Sequence, residues 1–283
     1  MIMETKKIGI IGHGFVGKAM DNGFNIDVEK FIVDPKIGTT INDLNIFKPE
    51  FIFICVPTPM DNDGNQDNSI LEKVLFEIEE GDFSSSVLIL KSTVLPDKTE
   101  ELEKRLPNFI YNPEFLRENF AEEDFRHSEF IILGGKKENC DKVKNLYLNH
   151  SICRADKYIY TNAKKASFTK YIINTFLALK VAYFNELNEL LDEGQEDWKE
   201  LVNIIMLDKR IGGSHMDVPG PDGRKGFGGA CFPKDTNALI KYSMTNGKFL
   251  DILDAAIKKN NLVRSSYKEL SEREKDQNVN FKN

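Results

Sequence analysis

The stretch Lys7-Ile8-Gly9-Ile10-Ile11-Gly12-His13-Gly14-Phe15-Val16-Gly17 reads as a short apolar strand, a glycine turn and the opening of a helix. Each glycine has its own physical task. Gly12 permits the tight turn, Gly14 lets main chain approach a pyrophosphate, and Gly17 lets the helix pack on the strand. The helix beginning at Phe15 and Val16 offers free N–H groups and a partial positive charge to phosphates. The next apolar run ends in Asp34, about 20 residues on, where a carboxylate accepts hydrogen bonds from a ribose 2′-hydroxyl and repels a 2′-phosphate. These features predict a dinucleotide site that favours NAD over NADP, with His13 as a turn residue.

Working outward, the first half alternates β-rich runs with helical stretches, the pattern of a parallel sheet with crossover helices. The strands expected are Lys7–Ile11, Phe31–Asp34, Phe51–Val56, Val87–Lys91, Phe109–Tyr111 and Phe130–Gly134. Several are continuous apolar runs, as strands covered on both faces should be. Ser69–Glu80 and Lys98–Leu106 read as helices between them. From Ala163 to Leu191 there is no proline or glycine, and Phe168, Ile172, Phe176, Leu179, Tyr183 and Leu187 recur three or four apart. That is a rod of about 40 Å, long enough to bridge domains or pack on a partner chain. Further helices are expected at Asp197–Leu207, Thr236–Met244 and Phe249–Asn260, around an irregular Gly/Pro-rich stretch, Ile211–Pro233. The tail from Lys275 onward, with only Val279 and Phe281 apolar, is expected to fray. The expected class is α/β: a Rossmann-type parallel sheet over residues 1–162, then the long helix and a small all-helical domain over 163–283.

Composition narrows the function classes. The chain has 283 residues, 38 Lys+Arg against 45 Asp+Glu, and a net charge of −7. With 41% hydrophobic and 29% charged residues it has an ordinary globular balance. An acidic chain argues against nucleic acid as a partner. No apolar run approaches the ~20 residues of a membrane span, and the charged N-terminus leads straight into a strand, so no signal peptide or membrane partner is expected. Cys55, Cys140, Cys153 and Cys231 are widely spaced, with neither C-x-x-C nor histidines at metal-ligand spacing. Reduced thiols, a cytoplasmic location and no metal site are the expectation.

The strand ends carry the polar groups that a ligand beyond the sheet's carboxyl edge would meet. Pro57-Thr58-Pro59 follows the third strand, Ser92-Thr93 the fourth, and Asn112-Pro113-Glu114-Phe115-Leu116-Arg117-Glu118 the fifth. Taken singly, Thr58 and Ser92 read equally well as loop caps. Lys170 and Asn174, four apart on the long helix, share a face where a lysine can polarise an oxygen that the amide orients. A solvated lysine beside a helix-face asparagine is the plainer alternative. Gly226-Phe227-Gly228-Gly229-Ala230-Cys231-Phe232-Pro233-Lys234-Asp235 is the most informative segment. Its glycines let main chain approach a ligand closely. Pro233 marks a helix start, so Cys231 sits just before an N-terminus with Lys234 nearby, and both favour a thiolate nucleophile. Asp235 would hold a water or a catalytic proton. A nicotinamide site with such a thiolate suits oxidation of an alcohol through an aldehyde captured as a thiohemiacetal, then a thioester hydrolysed with Glu114 as general base.

These segments resemble the UDP-glucose/GDP-mannose dehydrogenase family. The matching residues are Gly12–Gly17, Val56–Pro59, Asp63-Gly64-Asn65, Lys91–Val94, Asn112–Glu118, Lys170 with Asn174, Arg210-Ile211-Gly212 and Gly226–Asp235, in the family's order to about Asn260. The resemblance implies oxidation of a nucleotide-sugar alcohol to an acid with two NAD per turnover, in the manner of a UDP-glucose 6-dehydrogenase of polysaccharide biosynthesis. Cys231 would be the nucleophile, and Lys170 and Asn174 would stabilise the oxyanion. Asp235 and Thr93 would position a water. Thr58, Thr93, Glu118 and Lys234 would join Gly12, Gly14, Phe15, Val16, Gly17 and Asp34 on the cofactor side. Glu114, Phe115, Leu116, Arg117, Phe227 and Gly228 would contact the sugar nucleotide. Arg210 would be lent to the neighbouring subunit of a homodimer built on the 163–191 helix.

Two departures stand out. The segment His215–Arg224 lengthens the loop between Arg210 and Cys231. The family's further nucleotide-binding domain is not found after Asn260, so the nucleotide clamp is expected to be absent or supplied by a separate chain. Two other readings suit the length: a two-domain β-hydroxyacid-type dehydrogenase, which needs no thiol, and a truncated NAD-binding protein without activity.

Overall fold

A computed structural model describes residues 5–191 and 195–281. The chain divides into two compact units, Met1–Thr58 with Asp67–Lys170, and Pro59–Gln66 with Tyr171–Asn283. In the first, β1 (Lys6–Ile11) and α1 (Phe15–Gly23) are followed by β2 (Val28–Val33), α2 (Ile41–Phe47), β3 (Phe51–Ile54) and α3 (Ser69–Glu80). Next come β4 (Val87–Leu90), α4 (Pro96–Arg105), β5 (Phe109–Tyr111), α5 (Ala121–Arg126), β6 (Phe130–Gly135), α6 (Lys137–His150) and β7 (Lys157–Thr161). The sheet order is β2-β1-β3-β4-β5-β6-β7. All neighbours are parallel except β5 and β6, which pair antiparallel through Ile110↔Gly135 and Tyr111↔Gly134. This is a Rossmann-type sheet whose strand order reverses between β1 and β3, the place where α/β sheets open a ligand crevice.

The central strands are apolar because both faces are covered. Ile52, Phe53 and Ile54 are fully buried, with Ile52 and Ile54 in one apolar layer and Phe53 in the other. The sheet is mostly parallel, as the sequence predicts, with one antiparallel pair and a seventh strand beyond the six expected. Lys157-Tyr158-Ile159-Tyr160-Thr161 is an edge strand with Ile159 47% exposed, so it lacks the buried apolar run that marks the others.

The long helix α7 spans Ala163–Leu191, as its spacing predicts. Its start is capped by the Glu103 carboxylate, which accepts from the Ala163 N–H, and by Asn162 Oδ1, which accepts from Lys165 N–H. Ala163 and Ala166 are buried in the sheet's apolar layer, and the Ser167 hydroxyl donates to the Val94 carbonyl. The first compact unit runs to Lys170, and the short Pro59–Gln66 segment belongs with the second.

The second unit contains the rest of α7, then α8 (Gln195–Ile205), α9 (Phe232–Thr245), α10 (Asp251–Arg264) and α11 (Glu272–Asp276). A small apolar core joins Phe184, Trp198, Val202, Met216 and Val218. The tail does not fray as its composition suggests. Ser271 and Glu274 form a reciprocal capping box for α11, and Val279 and Phe281 are 3% and 7% exposed. Both apolar side chains of this polar stretch are buried rather than left in water. The tail also holds the Pro59–Gln66 segment, through Met60 N–H to the Gln277 carbonyl at 3.1 Å and Asn278 Nδ2 to the Met60 carbonyl.

Candidate active site

The glycine turn after β1 is shaped from its backbone. Gly12 has φ +87°, and a Cβ there would lie 2.8 Å from the Cys55 carbonyl oxygen at the end of β3. A Cβ on Gly17 would lie 2.0 Å from the Gly12 carbonyl. Gly14 differs: it caps α1 without a side chain, and a Cβ there would meet nothing within 4 Å. Space is left beside main chain at a helix N-terminus, which fits a dinucleotide's pyrophosphate. Phe15, Val16 and Gly17 form the first turn of that helix.

Asp34 stands at the end of β2 and braces this turn. Its Oδ2 accepts from the His13 N–H at 2.7 Å, and its Oδ1 from the Lys36 N–H at 2.9 Å. Partial burial is the largest single influence and opposes ionisation, yet these hydrogen bonds together hold the carboxyl below its ordinary range. His13 does more than turn the chain: its Nε2 lies 3.0 Å from Asp21, which is paired with Lys30 at 2.8 Å.

The ends of β3, β4 and β5 form a second cluster in the same unit. The Thr58 hydroxyl donates to the Thr93 carbonyl at 2.8 Å, and Ser92 to the Val56 carbonyl at 2.6 Å. Both hydroxyls thus tie strand ends together, the cap role that the sequence left open. Glu114, 6% exposed, receives the Lys170 ammonium, which reaches its carboxylate at 3.2 Å and its carbonyl at 2.5 Å. Lys170 is itself 3% exposed and lies over the Phe115 ring, so it is not a solvated lysine. Leu116 N–H donates to Glu114 Oε2 at 2.7 Å.

Sequence reading passed over the group beneath this pair. Lys91 is buried, and its Nζ donates to Asn112 Oδ1 at 3.0 Å, an oxygen also taken by the Tyr147 hydroxyl at 2.8 Å. Among the described residues no carboxylate lies within ion-pair distance of it. Burial pushes its pKa down to about 8, against the opposing pull of Cys55 and Glu114. Burial likewise pushes the Cys55 thiol up to about 12, leaving it a packing residue. A lysine closing the run Val87-Leu88-Ile89-Leu90 was the available signal.

In the second unit, Cys231 is the N-cap of α9, with Pro233 in the first turn, and is half-buried. Asp235, fully buried, accepts from Asn174 Nδ2 at 2.6 Å and from Lys234 Nζ at 2.6 Å. Phe227 is 3% exposed, facing inward rather than outward, and Gly228 lies in the loop that leads to the cysteine. Arg117 is turned onto Asp124 at 2.7 Å and over the Phe120 ring, and Arg210 is exposed and paired with its neighbour Asp208. Leu116 is partly buried, and the Glu118 side chain lies outside the description. Among the described residues no group of His, Cys, Asp or Glu could hold a metal ion. No described helix is long and apolar enough to cross a membrane.

Sheet order, glycine turn and Asp34 define a Rossmann-type dinucleotide-binding protein. The family is read from the rest of the chain. A model described as the UDP-glucose/GDP-mannose dehydrogenase family, NAD binding domain, matches residues 28–151, and one for the family's central domain matches 164–262. The chain belongs to the UDP-glucose/GDP-mannose dehydrogenase family, and its N-terminal part is that family's NAD-binding domain. It is 36% identical over 221 residues to a UDP-glucose 6-dehydrogenase of Rickettsia bellii, covering 75% of this chain and 49% of the relative. A UDP-glucose 6-dehydrogenase of Rhizobium meliloti is 32% identical over 208 residues, covering 68% and 45%. The chain thus spans about half the length of the curated relatives it matches. The UDP-glucose dehydrogenase of Pyrobaculum islandicum superposes with a TM-score of 0.76 at 25% identity, over 92% of this chain and 68% of that one. A Mycobacterium tuberculosis 3-hydroxyisobutyrate dehydrogenase shares the fold, with a TM-score of 0.67 at 14% identity over 99% and 97% of the two chains.

Proposed function

We propose that this chain carries the oxidising chemistry of an NAD-dependent nucleotide-sugar 6-dehydrogenase, with UDP-glucose to UDP-glucuronate as the leading substrate pair. The observation that carries the reading is Cys231 at the N-cap of α9, one turn before a fully buried Asp235 that Asn174 and Lys234 both hold. A helix N-terminus favours a thiolate, and a fixed carboxylate one turn on can order a water or a proton near it.

The residues divide the work as follows. Gly12, Gly14, Gly17 and the first turn of α1 hold the pyrophosphate, Asp34 takes the ribose hydroxyls, and Thr58, Thr93, Glu118 and Lys234 complete the cofactor's surroundings. NAD held there would supply the hydride acceptor for both oxidations at the sugar's C6 carbon. Lys170 and Asn174, one turn apart on α7, stabilise the negative oxygen at that carbon. The Cys231 thiolate adds to the aldehyde, which keeps the intermediate bound and sets it up for the second oxidation. Glu114, already in contact with Lys170, takes a proton from the water that cleaves the thioester, with Thr93 and Asp235 orienting that water. Phe115, Leu116, Arg117, Phe227 and Gly228 line the sugar nucleotide's path. Arg210 serves the neighbouring subunit of a homodimer joined along α7.

The test mixes the purified chain with NAD and a panel of UDP- and GDP-sugars and follows reduced cofactor. Two NADH per sugar, lost in Cys231→Ser, supports the reading. One NADH per substrate, retained in Cys231→Ser, supports the β-hydroxyacid-type dehydrogenase whose whole length this fold also matches. No turnover with any sugar points to a binding protein or to a required partner chain.

A further inference from the structure

The loop ahead of Cys231 is laid on a bed of buried polar side chains. Gly226 N–H donates to Asn185 Oδ1 at 2.9 Å, and its carbonyl accepts from Arg264 Nη2 at 2.7 Å. Phe227 is held at both ends by one side chain: its N–H donates to Asn260 Oδ1 at 2.6 Å and its carbonyl accepts from Asn260 Nδ2 at 2.9 Å. Gly229 N–H, two residues before the cysteine, donates to Glu274 Oε1 at 3.2 Å. Asn260, Arg264 and Glu274 are 2%, 4% and 1% exposed.

The bed also explains why the loop is built of glycine. A Cβ on Gly226 would lie 2.5 Å from Asn260 Oδ1, and one on Gly228 would lie 2.5 Å from Glu274 Oε1 and 2.6 Å from Arg264 Cζ. Side chains from below occupy the space that the loop's own side chains would need.

Such a bed is a poor device for stability alone. Taking a guanidinium and a carboxylate out of water is expensive, and an apolar filling of equal volume is often as stable. What it offers is direction. Arg264 Nη1 lies 2.6 Å from Asp222 and 3.8 Å from Glu274. Glu274 also accepts from the Ser271 N–H at 2.7 Å, within the capping box of α11. One carboxylate thus links the C-terminal helix, the α10 arginine and the loop whose far end is Cys231.

We propose that Glu274, with Arg264 and Asn260, is a positioning residue for the Cys231 thiol, acting through Gly229. The inference rests on Cys231 being the nucleophile, and it extends the site to a tail segment without contact to the reacting atoms. Removing the Glu274 acceptor frees Gly229, lets the cysteine swing away from the α9 N-terminus and leaves the thiolate less favoured.

The experiment uses full-length wild type, Glu274→Ala, Glu274→Gln and, as a control on the exposed side of the same helix, Glu272→Ala. Iodoacetamide modification of the Cys231 peptide is followed by mass spectrometry from about pH 6 to about pH 9, beside thermal melts and NAD titrations. In Glu274→Ala the pH midpoint for modification rises by about one unit and the rate near neutral pH falls about tenfold. Glu274→Gln keeps one acceptor oxygen, enough for the Gly229 N–H but not for the Ser271 N–H as well, so it falls between alanine and wild type. Glu272→Ala and all NAD affinities stay unchanged. A folded Glu274→Ala protein with an unaltered midpoint overturns the proposal, as does a glutamine variant no better than alanine. Should the alanine variant not fold, Glu274→Asp, one methylene too short to reach both N–H groups, is read by the same criteria. If no nucleotide sugar is oxidised by wild type, the proposed function fails while the thiol measurement still decides this point.

Discussion

Asn174 and Asp235, both buried, meet through a 2.6 Å hydrogen bond from Nδ2 to Oδ2, and the second carboxylate oxygen takes the Lys234 ammonium at 2.6 Å. The carboxylate is therefore the hub on which an amide of α7 and an ammonium of α9 depend. Removing it strands a cation that is itself only 8% exposed. Asp235→Ala is expected to lower stability by about 3–5 kcal/mol, the usual result of breaking a buried pair from one side. Asp235→Asn keeps the volume and one acceptor, so it should lose less stability but nearly all turnover. Denaturant unfolding and NADH production separate the two effects; equal stability losses in both variants would mean that the charge alone, and not the acceptor the amide retains, holds this site together.

The glycine turn makes a sharper contrast. Gly17→Ala places a Cβ against the Gly12 carbonyl, which has no room to move without opening the turn. Gly14→Ala meets nothing in the protein. The alanine at 14 should leave the melting temperature near wild type while weakening NAD binding at least about tenfold, because the added methyl occupies the ligand's space. The alanine at 17 should lower both. Calorimetric NAD titration with thermal melts checks the pair. Wild-type NAD affinity in Gly14→Ala would place the pyrophosphate elsewhere.

Lys91 gives a pH prediction with a definite sign. Its native pKa is pushed down to about 8 from an ordinary 10.5 by burial, so between those values the unfolded chain binds the extra proton and the folded one does not. Stability attributable to this group therefore rises with pH through that window, and the full penalty is felt below pH 8. Lys91→Met should be more stable than wild type at neutral pH, by a few kcal/mol at most, with the difference shrinking toward pH 10. Urea unfolding of both proteins across that range is the measurement. A difference that does not vary with pH would mean the lysine is not the titrating group.

How much of this was legible in sequence follows from what each feature depends on. The glycine turn, the strands and α7 rest on local chemistry and period, so their residues could be read where they stand. Cys231 at a helix N-cap was legible because Pro233 marks the start of α9. The roles of Lys91 and Asn112 were not, since the segments that contain them were read only at their ends, and the meaning of these two residues lies in a contact between two strand ends. Asn260 and Arg264 sit four apart on α10 and signal a shared face, but nothing in the sequence says that face lies under the glycine loop. The tail was misread because two apolar residues in a polar run show no period, and only the fold reveals that both are buried. Phe281→Ala should therefore destabilise by about 3–5 kcal/mol, far more than a frayed terminus allows. A melting temperature equal to wild type would restore the frayed reading.

The last prediction concerns the outer face of α7. Ile172, Phe176, Tyr183 and Leu190 are 58%, 60%, 58% and 78% exposed. At about 100° per residue they fall within about 40° of one another around the helix, a single apolar stripe along its length. A monomer that left such a stripe in water would be unusual, whereas a symmetric dimer pairs each stripe with its copy. Sedimentation at micromolar concentration should show a dimer, and Phe176→Glu, which buries two charges against each other in that pairing, should give a monomer. Arg210 supplies the functional half of the test. If it is lent across the interface, the Phe176→Glu monomer loses turnover although its own Arg210 is intact, and NAD binding to the glycine turn is untouched. A monomeric variant with full turnover would remove Arg210 from the reaction and leave the stripe to some other partner.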